Sequence, residues 1–324
     1  MTILITGGAG YIGSHVVNIL GEMGKDIIIL DNLSTGRNEN VLFGRLVIGD
    51  LNNQELLNDL FKNNNIELVI HFAGSIVVPE SVENPVLYYQ NNTLNSLNLI
   101  KTCLDYNVNK FIFSSTAAVY GLPLFGIASE DTQTNPINPY GRSKLMTEWM
   151  LEDVSHAYNF NYVALRYFNV AGASKTGKIG QSTPKATHLL KMAAEVATGK
   201  RENMFIYGDD YETPDGTCIR DYIHVDDLAM AHFNALEYLN NSGKSQVLNC
   251  GYGHGVSVKE VLKEVESITG LKFPAKVAQR RAGDAVKLIS KADKIKKVLD
   301  WSPQYDNLAY IVDSAINWER KLNI

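Results

Sequence analysis

Residues 2–24 read "TILITGGAGYIGSHVVNILGEMG", and the order of parts in this stretch decides the fold. An apolar, β-favouring run (2–6) leads into Gly7, Gly10 and Gly13 in the spacing G-x-x-G-x-x-G, and a helix-like segment follows. Glycines there allow a tight turn and a close backbone approach to a pyrophosphate, which then sits on the helix N-terminus, where amides and dipole favour an anion. The next apolar run, "DIIIL" (26–30), ends at Asp31, 24 residues after Gly7. A carboxylate at that place accepts hydrogen bonds from an adenosine ribose and repels a 2′-phosphate, and Asn32 follows it rather than a base, so NAD is expected over NADP.

Working outward, "RLVIG" (45–49), "LVIHFAG" (68–74), "KFIFSS" (110–115) and "YVALRYF" (162–168) repeat the pattern of short continuous apolar runs separated by helix-length segments. Such runs predict strands buried on both faces of a parallel sheet. The expected fold is α/β: a Rossmann-type, doubly wound parallel sheet with a smaller C-terminal α/β lobe. At 324 residues two lobes are the default. The polar connector "GASKTGKIGQSTPKA" (172–186) marks the change, giving a first domain over 1–170, with later segments such as 222–250 packing back on it, and a second lobe over 171–324.

Two helices can be placed. Asn138 and Pro139 suit the N-cap and first position of a helix through Val154, with Leu145, Met146, Trp149, Met150 and Val154 as its apolar stripe. A second spans 224–239, with Asp226 and Asp227 at its start and Leu228, Ala231, Ala235 and Leu239 along one face.

The formal charge of -5 offers no attraction for nucleic acid or an anionic membrane, and "KADKIKK" (291–297) reads as a solvated helix face. Cys103, Cys218 and Cys250 lack metal or redox spacing, no apolar run approaches a transmembrane length, and "MTILITGG" lacks a signal peptide's features. A cytoplasmic protein without a structural metal is expected.

In "PYGRSK" (139–144), Tyr140 and Lys144 are one helical turn apart and share a face. A free phenol, with pKa near ~10, is a poor base at neutral pH, and an ammonium beside it would stabilise the phenolate. Together "GGAGYIG", "DNLS", "GD", "HFAG", "FSSTAAVYG", "PYGRSK", "RYFNVAG" and "RDYIHVDD" resemble the extended short-chain dehydrogenase/reductase family, and within it the UDP-hexose 4-epimerases, including those acting on UDP-N-acetylhexosamines.

The resemblance implies tightly bound NAD, a UDP-sugar substrate and a homodimer. It implies a catalytic set of Thr116, Tyr140 and Lys144, in which Tyr140 takes the proton from the sugar 4-hydroxyl. Cofactor contacts carried over by motif are Gly7, Gly10, Tyr11, Ile12, Gly13, Asp31, Asn32, Asp50, Leu51, Phe72, Ala73, Gly74, Asn91, Ser114, Tyr140, Lys144 and Phe168. Substrate contacts carried over are Thr116, Tyr140, Asn169, Leu189, Phe205, Tyr207, Arg220, Arg281, Asp284 and Leu288, with His188 also near the UDP.

Two positions depart from relatives. Ile76 stands where epimerases often have lysine, and Leu288 stands where a tyrosine closes the pocket over the sugar's 2-substituent, which implies room for an N-acetyl group. A sister activity, 4,6-dehydration, needs an acid–base pair after the Ser/Thr; Ala117 and Ala118 stand there instead. A non-catalytic NAD-binding protein of the same fold is the other alternative, since fold alone does not carry function.

Overall fold

The computed structural model describes residues 1–183, 186–281 and 283–322; Pro184 and Lys185 of the polar connector and Ala282 of the "RRAGD" run lie outside them. Seven parallel strands form the main sheet: β1 (Thr2–Thr6), β2 (Asp26–Asp31), β3 (Arg45–Ile48), β4 (Ile66–His71), β5 (Lys110–Thr116), β6 (Asn161–Tyr167) and β7 (Gln246–Cys250). Their spatial order is 3-2-1-4-5-6-7. All six runs read from the sequence are strands, and the seventh comes from beyond residue 240, where Gln246–Cys250 pairs with Val163–Tyr167.

The continuous apolar runs have a simple cause. Alternate side chains go to opposite faces, so Ile3, Ile5, Ile29, Ile70 and Leu165 join one core while Leu4, Ile28, Val69, Phe111 and Phe113 join the other. Each Ile or Leu so buried contributes about 1.5–3 kcal/mol. The helix Tyr11–Glu22 covers the first face with Val16, Val17 and Leu20 and packs against the helix Val225–Asn240, whose Leu228, Ala231, Ala235 and Leu239 are buried as the sequence pattern requires.

The smaller lobe holds a four-stranded sheet (Val256–Ser257, Ile219–Arg220, Lys287–Ser290 and Ile127–Ala128) and a pair joining Ala275–Ala278 to Met204–Tyr207. Asp221, fully buried, ties this lobe together by accepting from the amides of Tyr252 (2.9 Å), Gly253 (3.0 Å) and Ser290 (3.1 Å).

One helix departs from expectation. The helix Pro139–Ala157 starts as read, with the Asn138 side chain accepting from the Gly141 amide at 2.8 Å. Its buried face, however, carries Lys144, Thr147, Glu148 and Leu151 alongside Leu145, while Trp149 is 52% exposed. The inward face is polar because each polar group has a buried partner. Arg166 of β6 grips Glu148 through Nε at 3.0 and 3.1 Å, and Ser115 donates to the same carboxylate. Arg166 also donates to Tyr120 Oη (3.1 Å), which donates to Asn249 Oδ1 (2.6 Å), whose amide nitrogen reaches Ala128 O (2.9 Å).

Candidate active site

Strand order reverses at β1, which is flanked by β2 and β4, and in open α/β sheets a crevice opens there beyond the carboxyl ends of the strands. A cleft of about 480 Å³ occupies that place, lined by the residues that leave β1 (Gly7), β2 (Asp31, Asn32), β4 (Phe72–Gly74), β5 (Ser114, Thr116) and β6 (Tyr167, Phe168).

The glycine loop is fixed by close approach. A Cβ on Gly13 would lie 2.3 Å from Gly7 O, and one on Gly7, at φ +71°, would lie 2.6 Å from Ala73 N, so helix, loop and the end of β4 meet with no room for side chains. Gly10 caps the helix without a side-chain hydrogen bond, and Tyr11 and Ile12 of its first turn line the cleft. An uncapped N-terminus facing a cleft fits a diphosphate. Asp31 braces the loop, accepting from Ala9 N and Leu33 N, both at 2.9 Å. Asn32 donates to Asp50 at 2.7 Å. With Leu51, Ser34 and Thr35 these form the end suited to an adenosine, so the residues present fit NAD.

At the opposite end stand Thr116, Tyr140 and Lys144. Lys144 is 3% exposed; its ammonium donates to Ser114 O at 3.0 Å and lies 5.0 Å from the Phe113 ring centre. Burial lowers its pKa to about 8. Burial raises that of Tyr140, and a hydrogen bond with the Thr116 hydroxyl opposes the rise. The phenol is therefore protonated at neutral pH in the free protein, and its work as a base requires added positive charge beside it. Ser114 and Tyr167 share a hydroxyl–hydroxyl contact beneath this group.

The depressed Lys144 pKa carries a stability consequence. Below about pH 8 the folded chain holds a desolvated cation; the unfolded chain keeps its proton up to about pH 10.4, so this penalty shrinks as pH rises between the two. In protein stripped of NAD, Lys144→Met is expected to raise stability by about 1–2 kcal/mol at pH 7, with the gain fading by pH 10. Urea melts at the two pH values check this.

The segment from β4 runs the length of the cleft. Its start, at Ala73, abuts the glycine loop. Ser75 is held by a π-helical turn, Tyr89–Leu94: Asn92 accepts from Ser75 N (2.7 Å) and donates to Ser75 O and Ser143 Oγ (both 3.0 Å), while Asn91 donates to Ser75 Oγ (2.8 Å). Single π turns often mark functional sites. Farther on, Ile76, Val77, Val78 and Glu80 continue the wall.

Of the expected substrate residues, Thr116, Tyr140, Asn169, Leu288 and His188 line the cleft. Leu189 begins the helix Leu189–Ala197. Phe205, Tyr207, Arg220, Arg281 and Asp284 form a separate cluster in the smaller lobe: the Arg281 guanidinium lies 3.7 Å from the Tyr207 ring centre and Arg220 is 3.8 Å from Asp284. Arg220 is paired in register with Leu288, which joins that cluster to the cleft wall. Sequence reasoning passed over Ser34, Thr35, Ser75, Glu80, Tyr167, Gln181 and Thr183. Gln181 and Thr183 come from the connector whose length had marked it as functional, and Gln181 donates to His188 Nδ1 at 2.9 Å. Among the described residues no cluster of three His, Cys, Asp or Glu side chains is set to hold a metal, and no helix is long and apolar enough to cross a membrane.

Comparison with known proteins agrees with this geometry. Residues 3–251 match the model of the NAD dependent epimerase/dehydratase family. A UDP-glucose 4-epimerase of Azospirillum brasilense is 52% identical, covering 99% of this chain and 92% of that one. The structure of UDP-glucose 4-epimerase from Brucella ovis in complex with NAD superposes with a TM-score of 0.96 at 42% identity, covering 98% of each chain. That of the UDP-Glc/GlcNAc 4-epimerase from Campylobacter jejuni gives 0.87 at 50% identity, covering 99% of each. Glycine loop, Asp31 and the Thr116/Tyr140/Lys144 group thus sit in a chain whose relatives match it from end to end, and the chain belongs to the NAD dependent epimerase/dehydratase family.

Proposed function

We propose that this protein is an NAD-dependent UDP-hexose 4-epimerase acting in the cytoplasm. The carrying observation is that Thr116, Tyr140 and Lys144 meet at one end of the cleft while the residues beside Thr116 are Ala117 and Ala118, which move no protons. That set suits oxidation and re-reduction at one carbon and lacks the acid–base pair a dehydratase needs.

When bound, NAD would supply the hydride acceptor and donor for chemistry at the sugar C4. Tyr140 takes the 4-hydroxyl proton and gives it back. Thr116 hydrogen-bonds the same oxygen, and Lys144, fixed on Ser114 O, supports the phenolate electrostatically. The uncapped amides after Gly10 hold the diphosphate of the cofactor. The resemblance assigns that of the substrate to Arg220 and Arg281, a task suited to a guanidinium's forked donors. Purified protein incubated without added NAD is expected to interconvert UDP-glucose and UDP-galactose; absence of either epimer defeats the reading.

N-acetylated substrates fit the same pocket. Leu288 is part of the cleft wall and packs against the small cluster of Ala117, Tyr120, Ala128, Leu145 and Phe168. A leucine there leaves space that a phenol would fill. Leu288→Tyr is expected to cut kcat/KM for UDP-N-acetylglucosamine by about 10–100-fold and that for UDP-glucose by less than about threefold. Equal losses on both sugars would show that position 288 does not select the 2-substituent.

A second copy of the chain suits the outer face of the helices around the π turn. Leu94, Leu97 and Trp149 are each 45–52% exposed on neighbouring helices, an apolar patch of the kind that marks an interface. Light scattering is expected to give a dimer mass, and Trp149→Glu a monomer.

A further inference from the structure

Glu80 has no part in the mechanism above, yet it stands in the wall of the cleft. The run from Phe72 to Glu80 fixes which end it occupies. Ala73 touches the glycine loop, Ser75 is pinned by Asn91 and Asn92, and Glu80 is held last, accepting from Tyr88 Oη at 2.8 Å. Tyr88 is fully buried, shares its single hydroxyl proton between Glu80 and Val77 O, the latter at 2.6 Å, and sets its ring edge-on to that of Tyr140 with centres 6.5 Å apart. Glu80 therefore lies at the sugar end, beside the base.

The charges at that end are one-sided. Among the described residues lining the cleft Lys144 is the only Lys or Arg, and its buried ammonium is committed to Ser114 O at 3.0 Å. Arg220 and Arg281 stand with the cluster outside it. Asp31 and Asp50 belong to the adenosine end. A substrate anion arriving near Tyr140 finds no free cation and one carboxylate. Only Oε2 of Glu80 is engaged by Tyr88, so the other oxygen is open to accept from a sugar hydroxyl.

We propose that Glu80 is a specificity residue that admits neutral hexoses and turns away nucleotide sugars whose C6 is a carboxylate. The proposal rests on the epimerase reading of the site and adds its substrate class. A neutral sugar donates a hydroxyl to Glu80; a uronate brings a like charge up to the carboxylate, and their repulsion opposes its binding.

Calorimetric binding of UDP-glucose and UDP-glucuronic acid to the NAD-loaded protein, in wild type, Glu80→Gln and Glu80→Asp, tests this. Wild type is expected to bind the uronate at least about tenfold more weakly than the neutral sugar, a gap of about 1.4 kcal/mol. Glu80→Gln keeps an oxygen for Tyr88 and is expected to close the gap to about threefold, while Glu80→Asp preserves most of it. Equal binding of both sugars by wild type overturns the proposal, as does a gap that Glu80→Gln leaves unchanged. Binding does not depend on turnover, so failure of the epimerase reading, seen as no UDP-galactose from UDP-glucose, is a separate result.

Discussion

Tyr140→Phe is expected to lower kcat for UDP-glucose epimerisation by about 10²–10⁴-fold, with KM changed by less than about threefold. Phenylalanine fills the same space beside Tyr88 and Thr116 but has no oxygen to carry the proton. The loss belongs in kcat because proton transfer at the 4-hydroxyl occurs only in the reacting complex. NAD content and the melting temperature should stay near wild type, since the glycine loop, Asp31 and the Ser75 clamp are untouched. A kcat within tenfold of wild type would remove Tyr140 from the role of base.

The second large effect lies behind the site. Arg166→Met leaves the Glu148 carboxylate buried, at 4% exposure, without its cation, and strips a donor from Tyr120. Breaking a buried pair from one side costs about 3–5 kcal/mol, a fall of roughly 4–7 °C in melting temperature for a chain of this size. Replacing both partners with apolar residues (Glu148→Leu with Arg166→Met) is expected to recover most of that loss, because no charge is left stranded. Chemical denaturation of the single and double variants measures the coupling. A single variant within 1 kcal/mol of wild type would mean that the guanidinium holds nothing in place.

The difference between the two predictions follows what was legible in the sequence. Tyr140 and Lys144 could be paired from spacing, and the glycine loop with Asp31 from motif order, because local chain geometry imposes both. Five of the six strands were legible because a strand buried on both faces must be apolar throughout; β3, at the sheet edge, is read from the same apolar run although its Ile48 is 66% exposed. β7 is interrupted by polar residues ("QVLNC"), and its place depends on pairing across more than eighty residues.

The inner face of the helix Pro139–Ala157 could not be read from periodicity. Its buried side is lined by Lys144, Thr147 and Glu148, whose burial is tolerable only because Ser114, Asn92 and Arg166 come from other elements. Leu145 is buried and Met150 and Val154 pack against the core as the stripe implies, but Trp149 is left outside and the buried polar positions beside the stripe are invisible to periodicity. Glu80 was illegible for a related reason. Nothing local distinguishes it from Glu83; only the hydrogen bond from Tyr88, eight residues on, sets it in the cleft wall beside Tyr140. Ser75 and Gln181 likewise gain their roles from contacts with the π turn and with His188.

In this mechanism one hydride leaves C4 and returns to the same carbon. This is tested by incubating the purified protein, without added NAD, with UDP-glucose carrying deuterium at C4 and analysing the product by mass spectrometry and NMR. UDP-galactose with the deuterium still at C4 is the expected product. Loss of the label to solvent, or a product that has lost water, would contradict it.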